Sequence, residues 1–187
     1  MQKAIYKRGF TLIETMIAVS MLAVAVAGPL VLSSQSLSAA QFAKDGVTAY
    51  YLGEEAIETV RALRDKNSYN SSPWLTGLDP TCSSVTGNKC VVDAFSRIVT
   101  ICPGGVCPAL QQADLPNGER EFRQGQAGSA WSDSRYTREV QITPKSHAPE
   151  ITAPDDIVEA VVTVTMRWQS GPSSRVLVLT STLFDWK

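Results

Sequence analysis

Residues Phe10 to Leu32 are apolar except for Glu14 and a few hydroxyl side chains. About 23 residues of helix cross a hydrocarbon core of roughly 30 Å, so this run predicts a membrane span. After Ser33 polar residues take over. Even so, Ala49, Leu52, Ala56, Val60 and Leu63 recur three to four residues apart, predicting one apolar stripe on a helix that continues past the span. Opposite the stripe stand Glu54, Glu55, Glu58, Arg61 and Arg64, which read as a solvated or subunit-facing surface with Glu58 in reach of Arg61. Lys66-Asn67-Ser68 marks the expected end. A helix running unbroken from Phe10 to Lys66 is roughly 85 Å long at 1.5 Å per residue.

Two features interrupt or follow this pattern. Gly28-Pro29 falls inside the apolar run, where proline removes one helix hydrogen bond and glycine weakens the same turn; a kink or local melting is expected there, either as a hinge or as two breakers that a membrane helix tolerates. Between residues 67 and 134 turn formers dominate, and eight of the ten prolines fall from Pro73 to Pro154, so long loops are expected. Only Val92 to Ile101 looks strand-like there, and a short helix fits it equally. The C-terminal pattern has period two. Val158, Ala160, Val162, Val164, Met166 and Trp168 alternate with Glu159, Val161, Thr163, Thr165 and Arg167, predicting a half-buried strand. Gln169-Ser170-Gly171-Pro172 makes a turn into a second strand over Arg175 to Trp186, and Tyr136 to Thr143 supplies a third. Trp186 reads as core or rim.

Charge places these elements. Lys3, Lys7 and Arg8 crowd the first nine residues without an acid, while the remainder carries 14 bases against 18 acids. The positive-inside rule puts Met1 to Gly9 in the cytoplasm and everything after Leu32 outside. A total of -1 and a pI near 5.8 offer no basic field for a phosphate backbone, so no nucleic-acid partner is indicated. A secretory signal peptide needs a shorter apolar stretch ending at small residues; Ala23-Val24-Ala25 mimics such a site, but the run is too long. A plain anchor leaves Glu14 unexplained, because a carboxylate in an apolar span costs a few kcal/mol and by default has a functional partner.

The string Arg8-Gly9-Phe10-Thr11-Leu12-Ile13-Glu14 resembles the cleavage and methylation motif of type IV prepilins and type II secretion pseudopilins. Four features carry the resemblance together: a short basic leader, a terminal Gly9, Phe10 opening the apolar run, and Glu14 four residues later. The resemblance covers the first quarter of the chain tightly and the rest by general plan. It implies that a prepilin peptidase cuts between Gly9 and Phe10 on the cytoplasmic face and that the new Phe10 amine is N-methylated. Because a carboxylate at that depth needs a counter-charge, Glu14 is expected to pair with the freed amine of a neighbouring subunit, with pairing to the amine of its own chain, one turn away, as the alternative. Glycine at the cut lets the backbone extend in a protease cleft without a side chain in the way. The fold it implies is α+β, a long N-terminal transmembrane and stalk helix packed on a small antiparallel β-sheet head. Its partners would be the peptidase, other pilin or pseudopilin subunits, inner-membrane assembly machinery and membrane lipid.

Other chemistry finds little support. The single histidine, His147, sits in a proline-flanked loop with no nucleophile elbow or metal signature, and adjacent acids such as Glu54-Glu55 and Asp155-Asp156 are common without function. No catalytic residue, cofactor or metal is expected. Cys82, Cys90, Cys102 and Cys107 all lie in the part expected outside the membrane, where oxidation is allowed. Three pairings are formally open; Cys82 with Cys90 and Cys102 with Cys107 is preferred because each closes a short turn-rich loop, with a zinc site as the alternative. The organisation expected is a leader over 1–9, a membrane-spanning half-helix over 10–32, an extracytoplasmic helix over 33–66 and a β-rich head over 67–187, in a single-pass bacterial inner-membrane protein. A structural filament subunit is the leading reading, and a membrane-anchored exported binding module is the alternative.

Overall fold

The structure, a computed structural model, describes residues 9–125, 128–146, 157–171 and 173–185. The basic leader residues Lys3, Lys7 and Arg8, the loop residue His147, the Asp155-Asp156 pair, Pro172 and Trp186 lie outside them. A single α-helix, α1 (Leu12–Tyr69), precedes seven strands: β1 (Cys90–Asp93), β2 (Ile98–Ile101), β3 (Ala109–Asp114), β4 (Arg120–Arg123), β5 (Ser132–Ser146), β6 (Ile157–Ser170) and β7 (Ser173–Phe184). One long apolar N-terminal helix followed by an antiparallel sheet is the α+β, pilin-like plan.

Two compact units divide the chain, Met1–Lys44 and Asp45–Lys187. In the first, the apolar side chains of α1 are exposed all round, including Ile13, Met16, Val19, Leu22, Val26 and Leu30. Hydroxyls in this stretch bond back to the helix: Thr15 Oγ1 donates to Leu12 O and Ser20 Oγ to Ile17 O, both at 2.8 Å. Such self-satisfaction is what an apolar solvent demands of a polar side chain. Helix continues through Gly28 and Pro29, so the local melting expected there is absent from the isolated chain. Proline deletes one donor, and the intact turns on either side hold the helix across the gap.

In the second unit β5, β6 and β7 form the long part of the sheet. β5 and β6 pair antiparallel with Val140 opposite Val164 and Tyr136 opposite Trp168; β6 and β7 pair with Val164 opposite Leu179. On the other side of β5 lie β3, paired with β4, and β1, paired with β2. Inward residues Val140, Ile142, Ala160, Val162, Val164 and Met166 meet Ala49, Leu52, Ala56, Ile57 and Val60 of α1 in one core, joined by Trp74, Leu75 and Leu78. The expected stripe on α1 is the face that is buried. At Gly53 the approach is close enough that a Cβ would stand 2.5 Å from Leu179 Cδ1.

The long strands start and stop a few residues from where the alternation places them, as is usual for strand ends. The middle of the head departs further. Where loops and one strand or helix were expected over 67–134, two hairpins are found, β1–β2 and β3–β4. Their strands are four to six residues long and partly polar, too short for a period-two signal to stand out. α1 also runs on to Tyr69, with Asn67 Nδ2 donating to Trp74 O (3.1 Å) and Thr76 O (2.8 Å) so that it holds the following turn instead of ending the helix.

The charged face of α1 is the second correction. Glu58 and Arg61 pair with one another, yet Arg61 Nη2 also donates to Ser181 Oγ at 2.7 Å. Arg64 is buried against the sheet, donating from Nη1 to Phe184 O at 3.1 Å, and Glu55 accepts from Arg138. These residues are spaced to flank the apolar stripe as well as to oppose it. A long side chain there lays its stem on apolar surface and sends its polar tip to the sheet margin.

Candidate functional site

Phe10, the residue after the expected cut, is 81% exposed, and Gly9 before it has open space around its α-carbon. Thr11 sits just ahead of α1 and its Oγ1 accepts the Glu14 N–H at 3.3 Å, while its carbonyl accepts the Thr15 N–H at 3.2 Å. Thr11 is therefore the N-cap of the helix, satisfying one of the donors a first turn leaves open. The Thr-x-x-Glu spacing is that of a capping box, a helix-start signal carried by the sequence itself. Glu14 stands exposed in the first turn, where the helix dipole favours an anion. Gly9, Phe10 and Glu14 are thus gathered at one accessible helix start.

The cysteines lie elsewhere. Cys82 is bridged to Cys90 and Cys102 to Cys107, with Cα separations of 5.2 and 4.6 Å. With every thiol consumed, the zinc alternative loses its ligands. The first bridge ties the turn after Trp74 to β1 and sits in the main core; the second closes the loop after β2 and packs on Val91. Beside the first, Ile142 N donates to Cys82 O at 2.7 Å and Ser84 N to Ile142 O at 2.8 Å, so the turn is pinned to β5.

Arg138 is the head's chief polar tie. Its side chain is 1% exposed, and it donates from Nη1 to Leu52 O and Glu55 Oε2, both at 2.8 Å, and from Nη2 to Val92 O at 2.5 Å. One guanidinium so fastens α1 to β5 and β1. Burial pulls its pKa below the usual arginine value, opposed by the Glu55 and Asp93 carboxylates. Asp93 is itself buried at the end of β1. Burial pushes its carboxyl up, but the Ser96 hydroxyl and N–H, the Gln124 N–H and the Arg123 charge outweigh it and leave the group below the ordinary carboxylate value. A second tie joins Asp45 to Arg135 at 3.0 Å, with the Tyr136 hydroxyl donating to Asp45 O at 3.4 Å. These contacts explain how the helix is held, and Arg138 had a signal: it falls at an inward position of the Tyr136, Val140, Ile142 alternation.

Between α1 and the β3–β4 hairpin lies a groove of about 550 Å³, lined by Tyr51, Glu55, Phe95, Phe122 and Arg123 among others, with the Arg123 guanidinium 3.5 Å from the centre of the Phe95 ring.

Comparison with curated proteins and with solved structures finds no match to the chain. A family model does match its start. Residues 6–28 fit the prokaryotic N-terminal methylation motif, so the chain carries a type IV prepilin-like signal at the head of its long apolar helix.

Proposed function

We infer that this chain is a minor pilin or pseudopilin: an inner-membrane precursor cut between Gly9 and Phe10, methylated at Phe10, and built into a type IV pilus, type II secretion or DNA-uptake filament. The observation that carries the reading is the methylation motif standing directly before a half-helix whose apolar side chains are exposed all round. Such a surface needs lipid before assembly and other helices after it. Residues 10–32 span the bilayer with the leader in the cytoplasm, the helix beyond them leads out, and the head works as a structural body without catalysis. Gly28 and Pro29 are the place where the helix loosens when packed among its neighbours.

Cleavage creates the partner for Glu14. Before it, Phe10 nitrogen is an uncharged amide; afterwards its ammonium sits at the start of an apolar helix and needs a counter-charge in a poor solvent. A neighbouring subunit's Glu14 supplies it, and either ion alone would carry a desolvation cost of several kcal/mol. Mass spectrometry of the mature chain should show a methylated Phe10 start, and the chain should appear in sheared filaments. Glu14→Val should leave insertion and cleavage intact while lowering filament incorporation at least tenfold or blocking methylation. Efficient cleavage, methylation and assembly of Glu14→Val would remove this role from Glu14.

The aromatic groove favours a second reading, a membrane-tethered binding module. A monomer confined to membrane fractions and missing from sheared filaments would support it over the first.

A further inference from the structure

The seven-stranded sheet has three terminal strands, and they are finished differently. β2 pairs only with β1 and β4 only with β3 among the described residues; each is four residues long, and β4 is Arg120-Glu121-Phe122-Arg123. Short length and charge are the usual devices that keep a sheet edge from recruiting another strand. β7 has little of either. It is 12 residues long, pairs among the described residues only with β6, keeps one register with no bulge from Ser173 to Phe184, and contains no proline and a single charged residue, Arg175.

The backbone groups on its open side are identifiable. Asp185 N donates to Val158 O at 3.1 Å, one step beyond the facing pair Glu159 and Phe184. In an antiparallel ladder bonded pairs alternate with unbonded ones, so Leu183, Ser181, Leu179 and Leu177 exchange bonds with β6. Ser174, Val176, Val178, Thr180 and Thr182 then turn their N–H and C=O groups away from it. Phe184, next in that series, agrees: its carbonyl accepts from Arg64 of α1. Arg64 thus finishes the edge at its C-terminal end, while the outward backbone groups of Val176, Val178, Thr180 and Thr182 meet no other strand among the described residues, with Val176 and Val178 each about half exposed.

We propose that the open side of β7, from Ser174 to Thr182, is a docking edge that takes one extended strand from a different polypeptide. The ladder supplies the affinity. Residues 45–69 of α1 lie on the inner face, so the incoming strand meets the half-buried Leu177 and Leu179 there and the exposed row Val176, Val178, Thr180 and Thr182 on the other face. Its chemistry follows: apolar residues at every second position toward the leucines, β-branched or hydroxyl residues between them, and no proline. A second copy's β7 does not fit. Antiparallel self-pairing needs a two-fold axis perpendicular to the sheet, which sets residues 45–69 of the two copies antiparallel on it. Chains anchored in one membrane do not meet that way, and this exclusion rests on the anchored reading above.

The test uses the full-length chain, in detergent and in the envelope of cells that express it. Amide exchange of the detergent-solubilised chain should be slow at Leu177, Leu179 and Ser181 and fast at Val176, Val178, Thr180 and Thr182. In envelope-assembled material the second set should slow at least tenfold. Val178→Pro removes one outward N–H and Thr180→Lys adds an edge charge; both should keep the two disulfides and the β6–β7 protection while lowering co-purification with the assembled partner at least tenfold. A photo-crosslinker at Thr180 should map to an extended segment of another chain. Unchanged fast exchange in the assembled material, full recovery of both variants in it, or crosslinks from β7 to β7 would each overturn the proposal. Wild-type chain missing from sheared filaments would instead count against the filament reading, and the edge is then judged by exchange in whatever envelope complex holds the chain.

Discussion

The two parts of α1 obey opposite rules. Before Lys44 its apolar residues circle the helix and are exposed; after Asp45 one stripe, Ala49, Leu52, Ala56, Ile57 and Val60, is buried in the core with β5 and β6, while Val47, Tyr50 and Tyr51 off that stripe stay exposed. Apolar side chains on every face call for a solvent that is itself apolar, whereas a single stripe calls for one packed surface and water elsewhere. Polar groups follow the same division. In the first part hydroxyls bond back to their own helix, while in the second Asp45, Glu55 and Arg61 reach outward to side chains of the sheet. One continuous helix thus serves two environments by changing the period of its sequence and not its backbone.

The contrast is most sharply broken at Arg138. Arg138→Ala leaves the buried Leu52 O and Val92 O, and the partly exposed Glu55 carboxylate, without their shared donor, a loss of about 3 kcal/mol. Denaturant unfolding of the full chain in detergent should show a lower midpoint for the head. Equal stability would mean that the helix is held by its apolar stripe alone.

Removing the Cys82–Cys90 bridge as a double serine variant should cost about 2.5 kcal/mol by the loop-entropy relation, and the shorter Cys102–Cys107 loop about 2 kcal/mol. Unfolding curves of the two variants decide whether that order holds; both effects should be confined to the Asp45–Lys187 unit.

Thr11→Ala acts on the other part. Losing the cap should destabilise the first turn by about 1 kcal/mol, seen as faster amide exchange at Glu14 and Thr15 in micelles with the head unaffected. If the head shifted as well, the two parts would be coupled through the helix.

Much of this division could be read along the chain. The apolar run, the stripe from Ala49 to Leu63 and the alternation in β6 are long, regular patterns, each set by a periodic geometry repeated over many residues. The hairpins β1–β2 and β3–β4 were not legible, since four residues do not establish a period. The charged face of α1 was misread because spacing tells which side of a helix a residue occupies but not how far a long arginine reaches. Thr11 is the first letter of a Thr-x-x-Glu box, a local signal that the sequence carries in full.

What the sequence by itself determined is local and repetitive: the prepilin-like signal around Gly9, Phe10 and Glu14, the long helix, and the C-terminal strands. The tertiary structure alone decided which distant residues share a contact. Arg138 meets Leu52 and Val92, Arg64 closes the end of β7, and β7 ends the sheet among the described residues. Those outcomes depend on strand order and on chain segments brought together across 40 to 120 positions, and no local period encodes such pairings.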